Sequence, residues 1–318
     1  MTLVQTVAEV LFVALQQGAI FALLGIGLTI ILGTMKFLNL AHGALYLVGA
    51  YAGMLIAKEV SIGGILAGYV ANPQQFGLGL DFVGALILVP IIVFVIGVLM
   101  ERFVARPLYD RPEIDQLLIT FGLALIVQEV VKQLVGGENY PSITPQTMFG
   151  FDVSGPLTLP LVGTFSRWRL LVVGLTLVII LLTYLLIEKT DFGLVVQAGT
   201  RDAEMVRLLG IEIERSYLLV FGIGAALAGL AGLVGATIIN LRPAMGTEQA
   251  LVPAFLTLVV GGAGSVVGAI VGGMLLGLIF AIMSFVATQW AQIVLYGFVA
   301  VVLLVRPGGL FGSVEVSE

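Results

Sequence analysis

The sequence lacks cysteine altogether, has one histidine and carries very little charge. Only 10% of its 318 residues are Asp, Glu, Lys or Arg, whereas 59% are hydrophobic. Without cysteine the chain cannot form disulfides, thiolate metal sites or a cysteine nucleophile. Soluble domains are about 25% charged, so these residues could hardly cover a surface in contact with water. The composition therefore predicts an all-α polytopic protein of the inner-membrane type.

Nine apolar segments follow one another along the chain. They cover about residues 10–32, 44–57, 82–101, 115–135, 169–188, 216–239, 250–263, 266–287 and 290–305. A helix that crosses a bilayer needs about 20 apolar residues, so the short segments 44–57 and 250–263 are candidates for re-entrant or broken helices. We therefore predict about 8–9 transmembrane or re-entrant helices. Since no linker or low-complexity tract interrupts them, residues 1–318 are predicted to form a single transmembrane domain.

The basic residues favour one orientation in the membrane. Lys and Arg concentrate in cytoplasmic loops, and the loops at residues 102–115 and 189–215 hold half of them. With both loops in the cytoplasm, nine basic residues lie inside, namely Lys36, Arg102, Arg106, Arg111, Lys189, Arg201, Arg207, Arg215 and Arg306. The other five lie outside. The C-terminus is then predicted to be cytoplasmic, while the side of the N-terminus depends on how many short segments cross.

A weak internal symmetry points to a repeat. The long, Gly-bearing segment 10–32 precedes the short segment 44–57, and segment 216–239 precedes segment 250–263 in the same way. In the orientation above, the two pairs start on opposite sides of the membrane. This is the arrangement of an inverted-topology repeat with broken helices near the midplane. Chance similarity between Gly-rich helices is the alternative.

The loop at residues 191–215 has the most informative pattern. Its sequence, DFGLVVQAGTRDAEMVRLLGIEIER, places Ala198, Asp202, Val206 and Gly210 at four-residue spacing. Gly210 follows two leucines, as a glycine after a helix C-terminus does. We predict a short amphipathic helix over about residues 200–209, with Leu and Met on one face and the charged side chains in water. An ordinary solvated connector helix is the alternative.

The same loop resembles a known family. The run Gly193-x3-Gln197-Ala198-x3-Asp202-x3-Val206-x3-Gly210-Ile211 resembles the EAA-type coupling loop of bacterial ABC importer permeases. Its Leu-Leu-Gly-Ile portion is similar to the LivH-type permeases of branched-chain amino acid importers. The stretches LNLAHGALYLVGAY, ERFVARPLYDRPEIDQLLITFGLALIVQE, LRPAMGTEQALVPAFLTLVVGGAGSVVGAIVGGMLLGLI and VRPGGLFG also resemble that family, in order, over nearly the whole chain. One departure is Phe280, where many members have an acidic residue.

The resemblance implies a non-catalytic permease subunit. Its coupling loop would dock on a cytoplasmic ABC ATPase through Gly193, Ala198, Asp202, Val206 and Gly210. The chain lacks the Gly-x4-Gly-Lys-Ser/Thr phosphate loop, so partner subunits would bind ATP and the chain would need no cofactor. The implied partners are the ATPases, a second homologous permease that makes a heterodimer, and an extracytoplasmic substrate-binding protein. Leucine, isoleucine and valine are the implied substrates, moved by alternating access, although relatives also handle urea, amides and small acids.

Polar residues interrupt the apolar pattern at KFLNLAHGALYLVGAY. Asn39 is predicted to cap a helix that starts near residues 40–41, His42 would lie in its first turn, and Gly43 would let a neighbouring helix pack closely. These residues either tie down a buried helix end or line the translocation path. A metal site is excluded because no second histidine and no cysteine exist. The candidate path residues are Asn39, His42, Gly43, Gly261, Gly262 and Gly264.

Other polar groups in the apolar segments give little support to other functions. Glu129 and Lys132 are three residues apart on one helix and are predicted to form a local ion pair, while Glu101 is predicted at the membrane interface. An ATP-independent secondary transporter or channel for small amides or amino acids is the alternative function. It would need more buried acidic or Arg residues for ion coupling. An intramembrane enzyme would need a catalytic constellation at helical spacing that this chain does not have.

Overall fold

The computed structural model describes residues 2–159 and 163–312, and helices dominate this part of the chain. The helices are α1 (Leu3–Met35), α2 (His42–Ala57), α3 (Asp81–Met100), α4 (Glu113–Val135), α5 (Arg167–Lys189), α6 (Asp191–Arg201), α7 (Ala203–Leu208), α8 (Ile213–Ala236), α9 (Val252–Gly261), α10 (Val266–Val286) and α11 (Ala291–Val305). Two π-helical segments, Glu101–Ala105 and Gly246–Leu251, adjoin α3 and α9. Short 3₁₀ turns lie at Ile65–Gly68, Arg106–Leu108 and Thr288–Trp290.

The predicted polytopic all-α fold is confirmed. Among the described residues, seven helical stretches are long and apolar enough to cross a membrane, namely Leu3–Met35, Asp81–Leu108, Glu113–Val135, Arg167–Lys189, Ile213–Ala236, Val266–Val286 and Thr288–Val305. His42–Ala57 and Gly246–Gly261 are helical but shorter, as the lengths of their apolar segments predict. The inverted-topology repeat stays a prediction.

The helices form two compact units. The first unit contains the described residues of Met1–Lys36, Gly155–Tyr217 and Pro253–Glu318, and the second contains Phe37–Ser154 and Leu218–Val252. The chain therefore passes from one unit to the other several times, since neither unit is a continuous stretch of sequence.

In the first unit, α1 packs closely along α10. A Cβ added at Gly277 would overlap the backbone of Gly18, and one added at Gly273 would overlap Ala22. Small residues bring the two backbones together, which is how membrane helices gain contact area. Buried apolar side chains from α1, α9, α10 and α11 fill the space beside this seam, namely Phe21, Val260, Leu276, Leu295 and Val299.

In the second unit, α2 is the central helix and is almost completely buried. It packs against α3, α4 and the π-helical segment Gly246–Leu251. A Cβ added at Gly49 would overlap the backbone of Gly229 in α8, so these two helices also meet at glycines. A helix that is apolar on all sides is expected to be buried in this way.

The outer loops hold two small hairpins that the sequence analysis missed. Strands β1 (Thr147–Met148) and β2 (Phe151–Asp152) pair antiparallel, as do β3 (Pro156–Leu159) and β4 (Gly163–Ser166). The residues before β1 are held at the end of α8, because Ile143 N–H donates a hydrogen bond to Ala236 O over 2.9 Å. Strands this short leave little periodic signal in a sequence, which is why the hairpins were not predicted.

Candidate functional site

The candidate coupling segment, residues 191–215, contains the two short helices α6 and α7 and the start of α8, where one short helix was predicted. The helix predicted over about residues 200–209 is present as the shorter α7, but α6 was missed, because the chain breaks at Asp202, which has φ −154° and ψ 92°. In this extended conformation Asp202 Oδ1 accepts a hydrogen bond from Met205 N–H over 2.9 Å. Asp is a preferred N-cap residue, so Asp202 ends α6 and starts α7.

Gly193 and Gly210 have different roles in this segment. Gly193 lies inside the first turn of α6, not ahead of the helix, and a Cβ there would overlap the carbonyl group of Ile187. Gly210 has φ +80° and follows α7, as predicted. Its N–H donates to Arg207 O, and Ile211 N–H donates to Val206 O. These two bonds form a Schellman motif, which needs a left-handed residue at this position.

The two faces of the coupling segment differ from the prediction. Val196 and Val206 are buried and hold α6 and α7 in place. The side chains of Met205, Leu208 and Leu209 point into solvent; Leu208 is 76% and Leu209 is 72% exposed. Ala198 is exposed as well. These Leu and Met side chains are therefore exposed alongside the charged side chains, and we call Met205, Leu208 and Leu209 the exposed apolar trio.

A pocket of about 410 Å³ lies next to the exposed apolar trio. It is lined by Arg207, Gly210, Ile211, Glu212, Ile213 and Glu214. Glu212 also forms an exposed ion pair with Arg215. The segment thus combines protruding leucines with a concave, partly acidic surface. Its first helix, α6, is attached to α5, because Gln197 Nε2 donates a hydrogen bond to Ile187 O over 3.0 Å.

The coupling segment contacts the end of α1 within the first unit. A Cβ added at Gly199 would lie 3.9 Å from the Thr34 methyl group and 3.3 Å from Ile213. The neighbouring Gly33 lies against Gly264, because a Cβ at Gly33 would overlap the Gly264 backbone. The end of α1 therefore lies between α6 and the turn that joins α9 to α10.

Gly261, Gly262 and Gly264 lie together in or beside that turn, which we call the α9–α10 turn (residues 261–265). Gly262 has φ +97° and Gly264 has φ +80°, conformations that favour glycine. The C-terminal residues lie against the turn, since Leu310 N–H donates to Val260 O and Phe311 N–H donates to Gly261 O. These bonds satisfy carbonyl groups that a helix end leaves free. Packing and backbone geometry thus account for the glycines without a ligand.

Asn39, His42 and Gly43 also lie together, in the second unit. The helix begins at His42, one to two residues later than predicted, and its N-cap residue Ala41 makes no side-chain capping bond. Asn39 still acts at this helix end, because its Oδ1 accepts from Ala41 N–H over 3.0 Å. His42 is fully buried in the first turn. Gly43 packs against the Gly246 carbonyl, where any side chain would clash.

Two side chains of α4 hold the connecting segment (residues 37–41), and the sequence analysis missed both. Gln116 Oε1 accepts from Leu38 N–H over 3.2 Å, and Thr120 Oγ1 accepts from Leu40 N–H over 3.1 Å. Both side chains are buried. Their signal in the sequence is a pair of polar residues one helical turn apart in an apolar helix.

Glu101, which was predicted at the membrane interface, has a completely buried side chain. Its Oε1 accepts from Arg106 Nε over 3.2 Å and from the Tyr109 hydroxyl over 3.0 Å. The Tyr109 ring meets the Phe37 ring edge to face, with centroids 5.9 Å apart. The π-helical turn that begins at Glu101 is a type of distortion often found at functional sites. The sequence predicted neither this turn nor the burial of Glu101.

The predicted ion pair between Glu129 and Lys132 is confirmed, with Lys132 Nζ 3.2 Å from Glu129 Oε2. Both side chains are about half exposed, so the pair contributes little to stability. Arg242, in an outer loop, pairs with Glu248 over 2.9 Å.

Comparisons with known proteins give one family. The sequence matches the family described as "Branched-chain amino acid transport system / permease component" over residues 10–304. It is 30% identical to the high-affinity branched-chain amino acid transport system permease protein LivH of Escherichia coli (strain K12), over 97% of this chain and 96% of that protein. Identity to the corresponding protein BraD of Pseudomonas aeruginosa is 29%, over 96% and 95% of the two chains.

A second type of permease is also similar. Identity to the permease protein LivM of Escherichia coli (strain K12) is 27%, over 92% of this chain and 67% of that protein. No solved structure shows a significant match.

Proposed function

The chain belongs to the family of permease components of branched-chain amino acid transport systems, and from this premise we propose that it is the membrane-spanning permease subunit of an ABC importer. It is a multi-pass membrane protein. In this proposal it moves branched-chain amino acids into the cytoplasm across the bacterial inner membrane, with its C-terminus in the cytoplasm. Residues 1–318 act as one permease domain, which fits a chain that passes repeatedly between its two units.

The observation that carries the proposal is the exposed apolar trio on the coupling segment. Met205, Leu208 and Leu209 lie outside the seven helical stretches long enough to cross a membrane, yet they protrude into solvent. Adjacent exposed apolar side chains of this kind are typical of an interface with a protein or a membrane, and we assign the trio to an ATPase subunit because it lies outside those stretches. An ATPase subunit that covers the trio would also close the neighbouring pocket at residues 207–214.

Partner subunits would supply the energy in this mechanism. The sequence has no phosphate loop of its own. When the ATPases close on ATP, they would move α6 and α7. The contacts of Gly199 with Thr34, and of Gly33 with Gly264, would pass this movement to the α9–α10 turn. The side on which the transport path opens would then alternate.

The other partners are proposed from the relatives. Similarity to both LivH and LivM supports a pair of different permeases in one transporter. An extracytoplasmic binding protein would deliver the substrate and set most of the specificity. The chain itself does no chemistry and needs no cofactor in this proposal.

The first test is co-purification of an ATPase with the tagged permease from native membranes. Leu208→Glu and Leu209→Glu should each abolish co-purification, because a carboxylate would have to be desolvated in the interface. Ile114→Glu is the matched control, since Ile114 is exposed to the same degree as Leu208, 75% against 76%, but lies outside the coupling segment.

Retention of the ATPase by both Leu variants would overturn the coupling assignment. Failure of the wild-type chain to retain any ATPase, under conditions that preserve other importers, would overturn the ABC importer assignment itself. In that case ATP-independent uptake of leucine by reconstituted vesicles would identify a secondary transporter.

A further inference from the structure

We propose that the start of α2 and the buried Glu101 together form a weak binding site for the charged groups of a zwitterionic amino acid. Asn39 and the N-terminus of α2 would take the carboxylate, and Glu101 would take the ammonium group. This inference rests on the proposed function, because it names a place where the permease itself contacts its substrate.

Asn39 presents a buried donor at the start of α2. Its Oδ1 accepts from Ala41 N–H, so the other amide atom is the Nδ2 group. Asn39 has 0% exposure, and within residues 2–159 and 163–312 Nδ2 has no hydrogen-bond partner. Buried polar groups in proteins nearly always have partners. A free donor here therefore needs an acceptor that the chain does not supply.

The N-terminus of α2 adds to the attraction for an anion. The helix has 16 residues and starts at His42, directly after the Asn39 turn. The first N–H groups of a helix point at its N-terminal end, and the helix dipole favours negative charge there. A substrate carboxylate at this position would accept a hydrogen bond from Asn39 Nδ2. It would also be attracted by the positive end of the helix dipole.

Glu101 presents the complementary group. Its Oε1 receives both the Arg106 and the Tyr109 hydrogen bonds. Its Oε2 is buried and has no hydrogen-bond partner in the described part of the chain. An alkylammonium group has three N–H donors and no acceptor, so it can use this oxygen without disturbing the other two bonds.

Two contacts bring Glu101 to the start of α2. Tyr109, which donates to Glu101, meets the ring of Phe37, two residues before Asn39. Met100, next to Glu101, packs against the cluster of Ala41, Ala44 and Ala124. The same cluster contacts Leu123 and Val127, so apolar side chains that could surround an aliphatic substrate lie beside the two free polar groups.

Because both groups are buried, the site is closed in this conformation and has to open in another. Asn39 and Glu101 are inaccessible in this conformation, so a ligand reaches them only after a conformational change. A site that opens in one state and closes in another binds its ligand in only part of the cycle. Weak binding suits a permease, because the substrate has to leave again.

The test compares three probes on the purified transporter in lipid nanodiscs, without the binding protein or nucleotide. The probes are L-leucine, 4-methylpentanoate, which is leucine without its ammonium group, and isoamylamine, which is leucine without its carboxylate. Asn39→Asp keeps the oxygen that accepts from Ala41 N–H but replaces the Nδ2 donor by a negative oxygen. Glu101→Gln keeps the shape of Glu101 and removes its charge.

Each variant should weaken binding only of the probes that carry its partner group. Asn39→Asp should weaken leucine and 4-methylpentanoate about tenfold, the loss of one charge-assisted hydrogen bond, and should not weaken isoamylamine. Glu101→Gln should weaken leucine and isoamylamine by about the same factor and should not weaken 4-methylpentanoate. Thr120→Val is the control for disturbed folding, because it removes a bond to the connecting segment and should affect all three probes alike.

Equal effects of Asn39→Asp or Glu101→Gln on all three probes would overturn the site and leave the two groups with a structural role. No saturable leucine binding to the wild-type transporter would also overturn it, with bound water as the partner of both groups. ATP-driven leucine uptake by the same purified wild-type transporter, reconstituted in proteoliposomes with its binding protein, separates these outcomes from a failure of the proposed function.

Discussion

The isolated polar side chains of this protein mostly form hydrogen bonds with backbone groups at places where a helix is interrupted. Gln116 and Thr120 accept from the connecting segment, and Asp202 caps α7. In an apolar surrounding every unpaired N–H group is costly. The few polar side chains of the chain are therefore found where regular helix hydrogen bonds stop.

At the residue scale, Gln116→Leu should destabilise the protein. Gln116 accepts from Leu38 N–H and donates to the carbonyl oxygens of Leu108 and Arg111. Its loss leaves buried backbone groups unpaired, at a cost of about 1–3 kcal/mol. The change should appear as a lower unfolding temperature of the purified protein in detergent.

Gln133→Leu is the control for this prediction. Gln133 is also on α4 but is exposed, and it bonds only the exposed Glu129. Equal unfolding temperatures for the two variants would contradict the role given to Gln116.

At the scale of elements, glycines determine which helices can touch. The close contacts of α1 with α10, and of α2 with α8, both occur at glycines, and the α9–α10 turn needs two glycines with positive φ. The sequence shows the high glycine content. It does not show which glycine lies opposite which, because that depends on how the helices are rotated.

Gly33→Ala should uncouple transport from ATP hydrolysis. A methyl group at Gly33 would overlap the Gly264 backbone and change the contact between α1 and the α9–α10 turn. We expect ATP hydrolysis to persist in proteoliposomes while leucine uptake falls about tenfold or more. A small displacement of a contact that positions functional groups can reduce a rate by that much. Both rates would be measured on the same vesicles.

The matched control is Gly174→Ala in α5, where an added Cβ meets no atom within 4 Å. It should leave both rates unchanged. A parallel fall of hydrolysis and uptake in Gly33→Ala would point to a folding defect and would contradict a role in transmission.

At the scale of the whole molecule, the chain presents extensive apolar surface on several of its helices. In the most apolar windows of Glu113–Val135 and Thr288–Val305 only 17% of residues are buried. Lipid covers such faces, and so can a second permease. The similarity to both LivH and LivM favours a partner that is a different chain.

We therefore expect one copy of this chain and one copy of a LivM-like permease in the assembled transporter. Co-expression of both tagged chains with the ATPases, followed by native mass spectrometry, gives the composition directly. The chain expressed without the second permease is the control. Two copies of this chain in the assembly would contradict the heterodimer.

The sequence by itself determined the all-α membrane fold, the number and approximate bounds of the apolar helices, and the family, because hydropathy and motif order are local properties. It also predicted Gly210 as the residue after a helix and placed Asn39 at a helix start, since these are properties of short stretches. Only the tertiary structure decided the break at Asp202, the burial of Glu101 and the support from Gln116 and Thr120. Each of these depends on which side chain faces which backbone group across helices, and no local pattern encodes that.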